Sequence, residues 1–320
     1  MTARCEGRFF ASIRVGTWRR LLPLLLLLSS SAWAWNGAGH RLVACLAWNQ
    51  LDTYTRSEVA RVLHEHPDYT RWIKRTDTAD VDRIAFIEAS TWPDDIRKDS
   101  RFYTAGVDAA TPVLTGFPDM ERHQDWHYVN RPFGVTRPKT TPEAAISGRL
   151  DQQLVTLAAI LDSPNSLASE KAYALPWLIH LVGDAHQPLH ASIRLDADGR
   201  PDSLGKGVSV SNPFNSRRPS STLHAFWDDL PGPSWLRGER LNAACAVLAT
   251  AYPHPVPTSP ERWIDESWQI AKDSAYPPGT EATPTISEAF YNQSRAIADQ
   301  RVSEAGYRLA DWLHEIMRRR

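Results

Sequence analysis

Residues 170–190, EKAYALPWLIHLVGDAHQPLH, join a long apolar run to a regular spacing of histidine and aspartate. The apolar side chains recur at helical intervals, which predicts a helix over 170–186. Pro188 closes it, because its ring blocks a further turn. On that helix His180 and Asp184 stand at i and i+4, one above the other on a single face. His186 and His190 follow in the turn. An imidazole and a carboxylate one helical turn apart offer two ligands to one divalent ion. A lone pair of this kind is often only a structural ion pair. Here the spacing returns in His224-Ala-Phe-Trp-Asp228, and His190 sits close to the first pair in sequence. Together they point to metal.

Outward from this stretch, helical periodicity predicts further helices over 40–51, 80–90, 142–162, 238–251, 260–274 and 285–317. Pro142 and Glu143 suit the first turn of the third of these. HEHP (64–67) ends another helix, with His64 and His66 as dipole-favoured surface residues. Long loops rich in Pro, Gly and Ser cover 100–120, 130–141, 191–222 and 252–260, with one short strand at Val208-Ser209-Val210. Strands and helices do not alternate, so a parallel sheet is not expected. The expected fold is all-α: a single mostly helical domain with long loops.

Composition narrows the function classes. With 42% hydrophobic residues and 13 Trp, the 320-residue chain is too apolar and aromatic for disorder. Its 36 Lys+Arg against 37 Asp+Glu exclude a protein that holds nucleic acid by basic charge alone. Three Cys are too few for a disulfide scaffold or a zinc ribbon.

Residues 1–34 have the features of a signal peptide: five Arg, an apolar run over Leu21–Leu28 broken by Pro23, then Ala32-Trp33-Ala34 as an A-x-A cleavage signal. The run is shorter than the roughly 20 residues of a membrane span. Cleavage after Ala34 leaves 35–320, with 31 basic against 36 acidic residues, a net −5. Export to the periplasm or the medium follows, without stable membrane association. Cys45 and Cys245 remain, and pairing and two buried free thiols are equally compatible with the sequence.

Further candidates lie upstream: Trp35-Asn-Gly-Ala-Gly-His40, Trp92-Pro-Asp94-Asp95-Ile-Arg97 and His127-Tyr128-Val129-Asn130. None contains Cys, and His with carboxylate suits a catalytic zinc more than a structural one.

These motifs, in order through the mature chain, resemble those of the zinc-dependent, single-strand-specific nucleases of the S1/P1 type. They are W-x4-H (35–40), W-x-D-x-x-R (92–97), H-Y-V-N (127–130), HLVGDAHQPLH (180–190) and L-H-A-F-W-D (223–228), with supporting segments at 263–271 and 305–313. The resemblance implies a phospholipase C/P1 nuclease-like helical fold with three zinc ions. One zinc takes Asp94, His127 and His180. Its neighbour takes His40 and the free α-amino and carbonyl groups of Trp35, with Asp184 bridging the two. A third takes His190, His224 and Asp228. An α-amine with a pKa near 8 yields its proton to a metal close to neutrality.

The implied chemistry is hydrolysis of single-stranded DNA and RNA to 5′-phosphate ends, with 3′-nucleotides as further substrates. A metal pair acidifies water for attack at phosphorus, Asp94 orients the nucleophile, and Arg97 neutralises phosphoryl charge. Tyr128 takes the place of a base-stacking aromatic. Two departures concern substrate contacts. Asn130 replaces an Asp of the fungal relatives, and Asp202-Ser-Leu-Gly-Lys206-Gly replaces D-x-G-G-N, placing Lys206 near the expected Asn.

Other readings are a zinc phospholipase C-like phosphodiesterase, which shares the fold, and a non-catalytic exported zinc-binding protein. The chain is expected to be a monomer. His186 is expected to support ligands or pack in the core rather than bind metal. Asp95 and Asp229 are expected to be solvated, and His123, His254 and His314 to lack partners. Arg97 has a second reading, as an ion-pair partner of Asp94 or Asp95.

Overall fold

The computed structural model describes residues 1–2, 35–74, 80–134, 147–279 and 281–318. It divides into the units Met1–Ser30 and Ser31–Arg320, and every element below belongs to the second. The signal-peptide stretch 3–34 lies outside the described residues. No helix among those described is long and apolar enough to cross a membrane.

In chain order the helices are α1 (Gly37–Gln50), α2 (Thr53–His64), α3 (Tyr69–Ile73), α4 (Val81–Ala89), α5 (Trp92–Asp95), α6 (Leu150–Asp162), α7 (Ala168–Ala185), α8 (Leu223–Asp229), α9 (Gly238–Ala251), α10 (Pro260–Ser274) and α11 (Glu288–Arg318). Short 3-10 turns cover Ile96–Lys98, Gln124–His127 and Pro188–His190. Among the described residues four three-residue strands make two small ladders: β1 (Pro132–Gly134) parallel to β2 (Ile193–Leu195), and β3 (Ser209–Ser211) antiparallel to β4 (Ser220–Thr222). The expectation of a mostly helical domain with long loops holds.

Two helices are buried almost all round and form the centre. α7 is buried from Ala172 to Ala185 and α1 from Ala38 to Trp48. A helix without a polar face belongs inside a protein. α11 lies along α1, and Gly306 permits the approach, since a Cβ there would strike the Leu46 side chain and the Val43 carbonyl. Cys45 of α1 and Cys245 of α9 are joined in a disulfide with Cα atoms 6.4 Å apart, which resolves the two open readings in favour of pairing.

Boundaries differ where caps act. α1 starts at Gly37, three residues before the expected 40, because the Asn36 side chain accepts from the Ala38 N–H. α6 starts at Leu150 rather than 142. Gly148 has φ +93°, a left-handed conformation that ends any upstream helical path, and residues 142–146 lie outside the described residues. His66, expected at the surface, is buried. Its ring stacks on Trp72 and its Nδ1 accepts from the Asp68 N–H.

Candidate metal centre

Six segments carry the candidate ligands: α1 holds His40, α5 Asp94, the turn Gln124–His127 His127, α7 His180 and Asp184, the turn Pro188–His190 His190, and α8 His224 and Asp228. α7 places His180 and Asp184 on one face, with His180 Nε2 3.4 Å from Asp184 Oδ2. α8 repeats the arrangement, with His224 Nε2 3.4 Å from Asp228 Oδ2. The Thr222 side chain caps α8 by accepting from the Ala225 N–H. α5 and the 3-10 turn after it bring Asp94 and Arg97 to the same place.

The side chains converge in three buried groups: His40–His180–Asp184, Asp94–His127–His180 and His190–His224–Asp228, each with its donor atoms within 4.8 Å of one another. His127 Nδ1 lies 3.0 Å from Asp184 Oδ2 and 3.0 Å from His180 Nε2. His40 Nε2 lies 3.5 Å from Asp184 Oδ1, and its ring stacks on that of His180 at 3.8 Å. His180 and Asp184 thus stand where two of the groups meet.

Backbone carbonyls orient three of the imidazoles. Nδ1 of His180, His190 and His224 donates to the carbonyls of Ser90 (2.8 Å), His127 (2.6 Å) and Leu204 (2.8 Å). That fixes the tautomer and makes Nε2 the acceptor nitrogen, the usual support of a metal-binding histidine. Gln187 donates to Asp228 Oδ1 at 2.8 Å. Gln187 was missed by the sequence reasoning although it lies inside the quoted stretch. The Ser90 and Leu204 carbonyls carry no side-chain signal.

Burial sets the electrostatics. It pushes the Asp184 and Asp228 carboxyls well above their usual range, and Asp94 upward against the pull of Arg97. It holds His40 and His127 well below 6.5 and pulls His180 down to about 3. Both kinds of group resist carrying charge here. A cation reverses the penalty for the carboxylates and needs the imidazoles neutral, the protonation states a metal takes. Moreover, His40 Nδ1 and Nε2, His127 Nε2, Asp94 Oδ1, Asp184 Oδ1 and Asp228 Oδ2 are buried without a hydrogen-bond partner. Buried polar atoms left unsatisfied are rare, and a divalent ion satisfies such a set of acceptors. The donor set is N and O only, which suits zinc in an open site.

Around this cluster lie groups suited to an anion or a base. Arg97, 6% exposed, has Nη2 3.1 Å from Asp94 Oδ1, and its guanidinium nitrogens make no hydrogen bond. The ion-pair reading of Arg97 therefore holds, while its Nε and Nη1 donors stay unspent. Lys206 is pushed down to about 8 by burial, against the raising effect of Asp228. Asn130 donates to Ser147 Oγ at 2.9 Å and keeps Oδ1 buried without a partner. Tyr128 is half-buried beside Gly148, where a Cβ would strike the Tyr128 carbonyl. Trp35 is fully buried, against the Cα positions of Gly39 and Gly183.

Among the remaining residues, His186 agrees with its expectation, and His123, His254, His314 and Asp229 correct theirs. His186 donates from Nδ1 to the Val182 carbonyl, and Arg308 donates to its Nε2, so it stands outside the three groups. His123, expected to lack partners, pairs with Asp119 at 3.0 Å and stacks on Trp126 at 3.8 Å. His254 meets Asp311 at 3.2 Å, and His314 Nε2 accepts from the Asp52 N–H at 3.1 Å. Asp229 is half-buried and accepts from Asn36, rather than being solvated. Asp311, Asp52 and Asn36 lie far off in sequence from His254, His314 and Asp229, where spacing gives no signal, whereas Asp119 stands four residues before His123, a spacing the sequence reading passed over.

A family model for S1/P1 nuclease matches residues 35–318. Endonuclease 5 of Arabidopsis thaliana is 24% identical over 303 residues, covering 87% of this chain and 93% of its own length. Nuclease S1 of Aspergillus oryzae is 23% identical over 320 residues, covering 92% and 96%. Nuclease P1 of Penicillium citrinum is 25% identical over 178 residues, covering 48% and 62%.

Proposed function

We propose, since the chain belongs to the S1/P1 nuclease family, that it is an exported zinc-dependent phosphodiesterase. It cleaves single-stranded DNA and RNA to 5′-phosphate products and also dephosphorylates 3′-nucleotides. The observation that carries the reading is the set of buried, unpartnered acceptors on His40, His127, Asp94, Asp184 and Asp228. Zinc would be held by Asp94, His127 and His180, by His40, Asp184 and the Trp35 terminus, and by His190, His224 and Asp228. When bound, zinc supplies Lewis-acid polarisation and an acidified water for attack at phosphorus.

The chain's own residues do the rest. Asp94 aligns the incoming water. Arg97, already beside Asp94, turns its unspent donors to the phosphoryl oxygens, where charge grows in the transition state. Lys206 places positive charge near Asp228 and the departing 3′ oxygen. Tyr128 stacks the base, and Asn130 Oδ1 accepts from a base N–H. Bases stacked within a duplex are not available to Tyr128, which gives the single-strand preference. Cleavage after Ala34 frees the Trp35 amine for the centre. Export is supported by the Cys45–Cys245 disulfide, a bond of oxidising compartments.

The test is hydrolysis by the zinc-loaded chain beginning at Trp35. Single-stranded DNA, RNA and 3′-AMP should all be cleaved, the polymers leaving 5′-phosphates. Hydrolysis of phosphatidylcholine with nucleic acid untouched would contradict the reading and favour a phospholipase. Inertness toward all four would leave a metal-binding protein.

A further inference from the structure

Ser203, Leu204 and Gly205 follow one another with φ of +56°, +64° and +77°. Among the described residues His123 is the one other non-glycine residue in this left-handed region. A side chain there crowds the carbonyl that follows it, so two such residues in a row persist only where their surroundings fix them. The turn they form meets the His190–His224–Asp228 group from two sides. The Leu204 carbonyl accepts from His224 Nδ1 at 2.8 Å, and the Gly205 carbonyl from the His224 N–H at 3.4 Å. A Cβ at Gly205 would come within 3.0 Å of the Leu189 side chain, next to His190. Lys206 follows, its charge favoured by Asp228.

Asp202 anchors the turn at its entry. Its N–H donates to the Arg194 carbonyl at 3.0 Å, and its carbonyl accepts from the Gly207 N–H at 2.9 Å. Its Oδ1 accepts from the Arg194 N–H at 3.2 Å, and its Oδ2 from the Tyr276 hydroxyl at 2.5 Å. Burial and the Asp202 charge push the Tyr276 hydroxyl well above 10, so it keeps the proton it donates. Tyr276 is boxed in turn. The Arg194 guanidinium carbon stands 3.9 Å from its ring centroid, and Phe133 meets the ring edge-on at 5.7 Å. The residue before it, Ala275, accepts through its carbonyl from Trp227 Nε1 of α8 at 2.9 Å. The corner after α10 therefore reaches the same group twice, through α8 and through the strained turn.

We propose that Tyr276 is a positioning residue for the centre: its hydroxyl holds Asp202, and through Asp202 the strained turn, in the conformation that gives the Leu204 carbonyl to His224. The inference rests on the zinc nuclease reading for the metal at His190–His224–Asp228. Backbone strain makes the dependence on one hydroxyl strong. Without it the turn relaxes toward negative φ and the Leu204 carbonyl swings away. His224 then loses the acceptor that fixes its tautomer and ring orientation, and its group holds metal less well. Lys206, two residues after Leu204, moves with the turn.

Chelator competition for zinc, on the chain beginning at Trp35 and without substrate, tests this. Tyr276→Phe keeps the ring under Arg194 and removes only the donor. It should weaken one zinc, that of the His190–His224–Asp228 group, by about tenfold, the low end for a supporting partner. The other two should not change. Ser203→Gly is the rescue, since Ser203 is exposed and glycine takes a positive φ without strain. Tyr276→Phe combined with Ser203→Gly should regain most of the lost affinity. A Tyr276→Phe affinity equal to wild type would overturn the proposal. So would a tenfold loss that Ser203→Gly leaves in place, the mark of a hydroxyl that supports packing rather than the turn. Hydrolysis of single-stranded DNA, measured on the same proteins, separates this inference from the nuclease reading. Loss and rescue of zinc on a protein that cleaves nothing would sustain the positioning role and overturn the nuclease. Cleavage by wild type, with Tyr276→Phe matching it in zinc affinity, would overturn the positioning role and leave the nuclease intact. A chain that takes up no zinc would overturn both.

Discussion

Asp228 shows how much of the candidate centre depends on a residue outside the three groups. Its Oδ2 lies toward His224 while Oδ1 accepts from Gln187, a side chain rotated into place by its own hydrogen bond with the Leu189 N–H. A supporting partner of a ligand is worth about 10–100-fold in metal affinity. Gln187→Leu should therefore weaken zinc at the His190–His224–Asp228 group by that factor in a chelator competition, with the other two groups unchanged; an unaltered affinity would remove Gln187 from the centre. His66 has consequences of another kind. Burial holds its pKa near 3, against about 6.5 in an unfolded chain. The unfolded chain then takes up a proton as pH falls through 6.5, while the folded one stays neutral until about 3. The stability is complete above pH 6.5 and falls by about 1.4 kcal/mol per pH unit between the two values. His66→Phe should flatten urea-midpoint profiles between pH 6 and 4 by about that slope, and a profile parallel to wild type would contradict the assignment. The sequence did not show this, since HEHP reads as the polar end of a helix. Trp72, Trp92 and Phe117, which enclose the ring, come from three separate segments.

The helix that carries His180 and Asp184 ends where α10 and α11 meet it. Arg301 donates to the carbonyls of His186 (3.4 Å) and Trp263 (3.0 Å) and to Ser267 Oγ (3.0 Å), while Ser267 Oγ donates to the Ala185 carbonyl at 2.7 Å. Glu266 and Glu304 balance the guanidinium. The last carbonyls of a helix need partners, and here the tail of the chain supplies them beside the metal-facing turn. Arg301→Leu should cost about 3–5 kcal/mol of unfolding free energy, the range for breaking a buried pair. A change below about 1 kcal/mol would mean that packing alone holds α7. Most of these elements were legible. The ranges 238–251 and 260–274 match α9 and α10 residue for residue, and the period of α4 places it within one residue at each end. What failed was decided by caps and turns: Asn36 lengthens α1, and the left-handed Gly148 precedes α6. The Cys45–Cys245 pairing depends on α1 lying against α9, a tertiary contact that no local pattern encodes.

At the scale of the whole molecule, the surplus of histidine and tryptophan in the sequence resolves into two jobs. Five of the eleven histidines gather in the three groups, and Trp92, Trp126 and Trp177 pack edge to face behind His127. The motif spacing made the gathering legible, because each i,i+4 pair lies on one helix face. The aromatic floor was not legible, because its members come from different segments. Net charge takes on a new meaning as well. On the proposed function a chain beginning at Trp35 has a net charge of −5, and metal ions held by the three buried groups would concentrate positive charge where phosphate must sit. That account stands or falls on the metals. Elemental analysis of the purified chain beginning at Trp35, against the same chain with one residue retained before Trp35, is the direct measurement. The expected result is zinc close to three per chain, one for each group, with a loss of about one and of activity when Trp35 is no longer terminal. Zinc at or below one per chain, or full zinc and full activity with the terminus blocked, would contradict it.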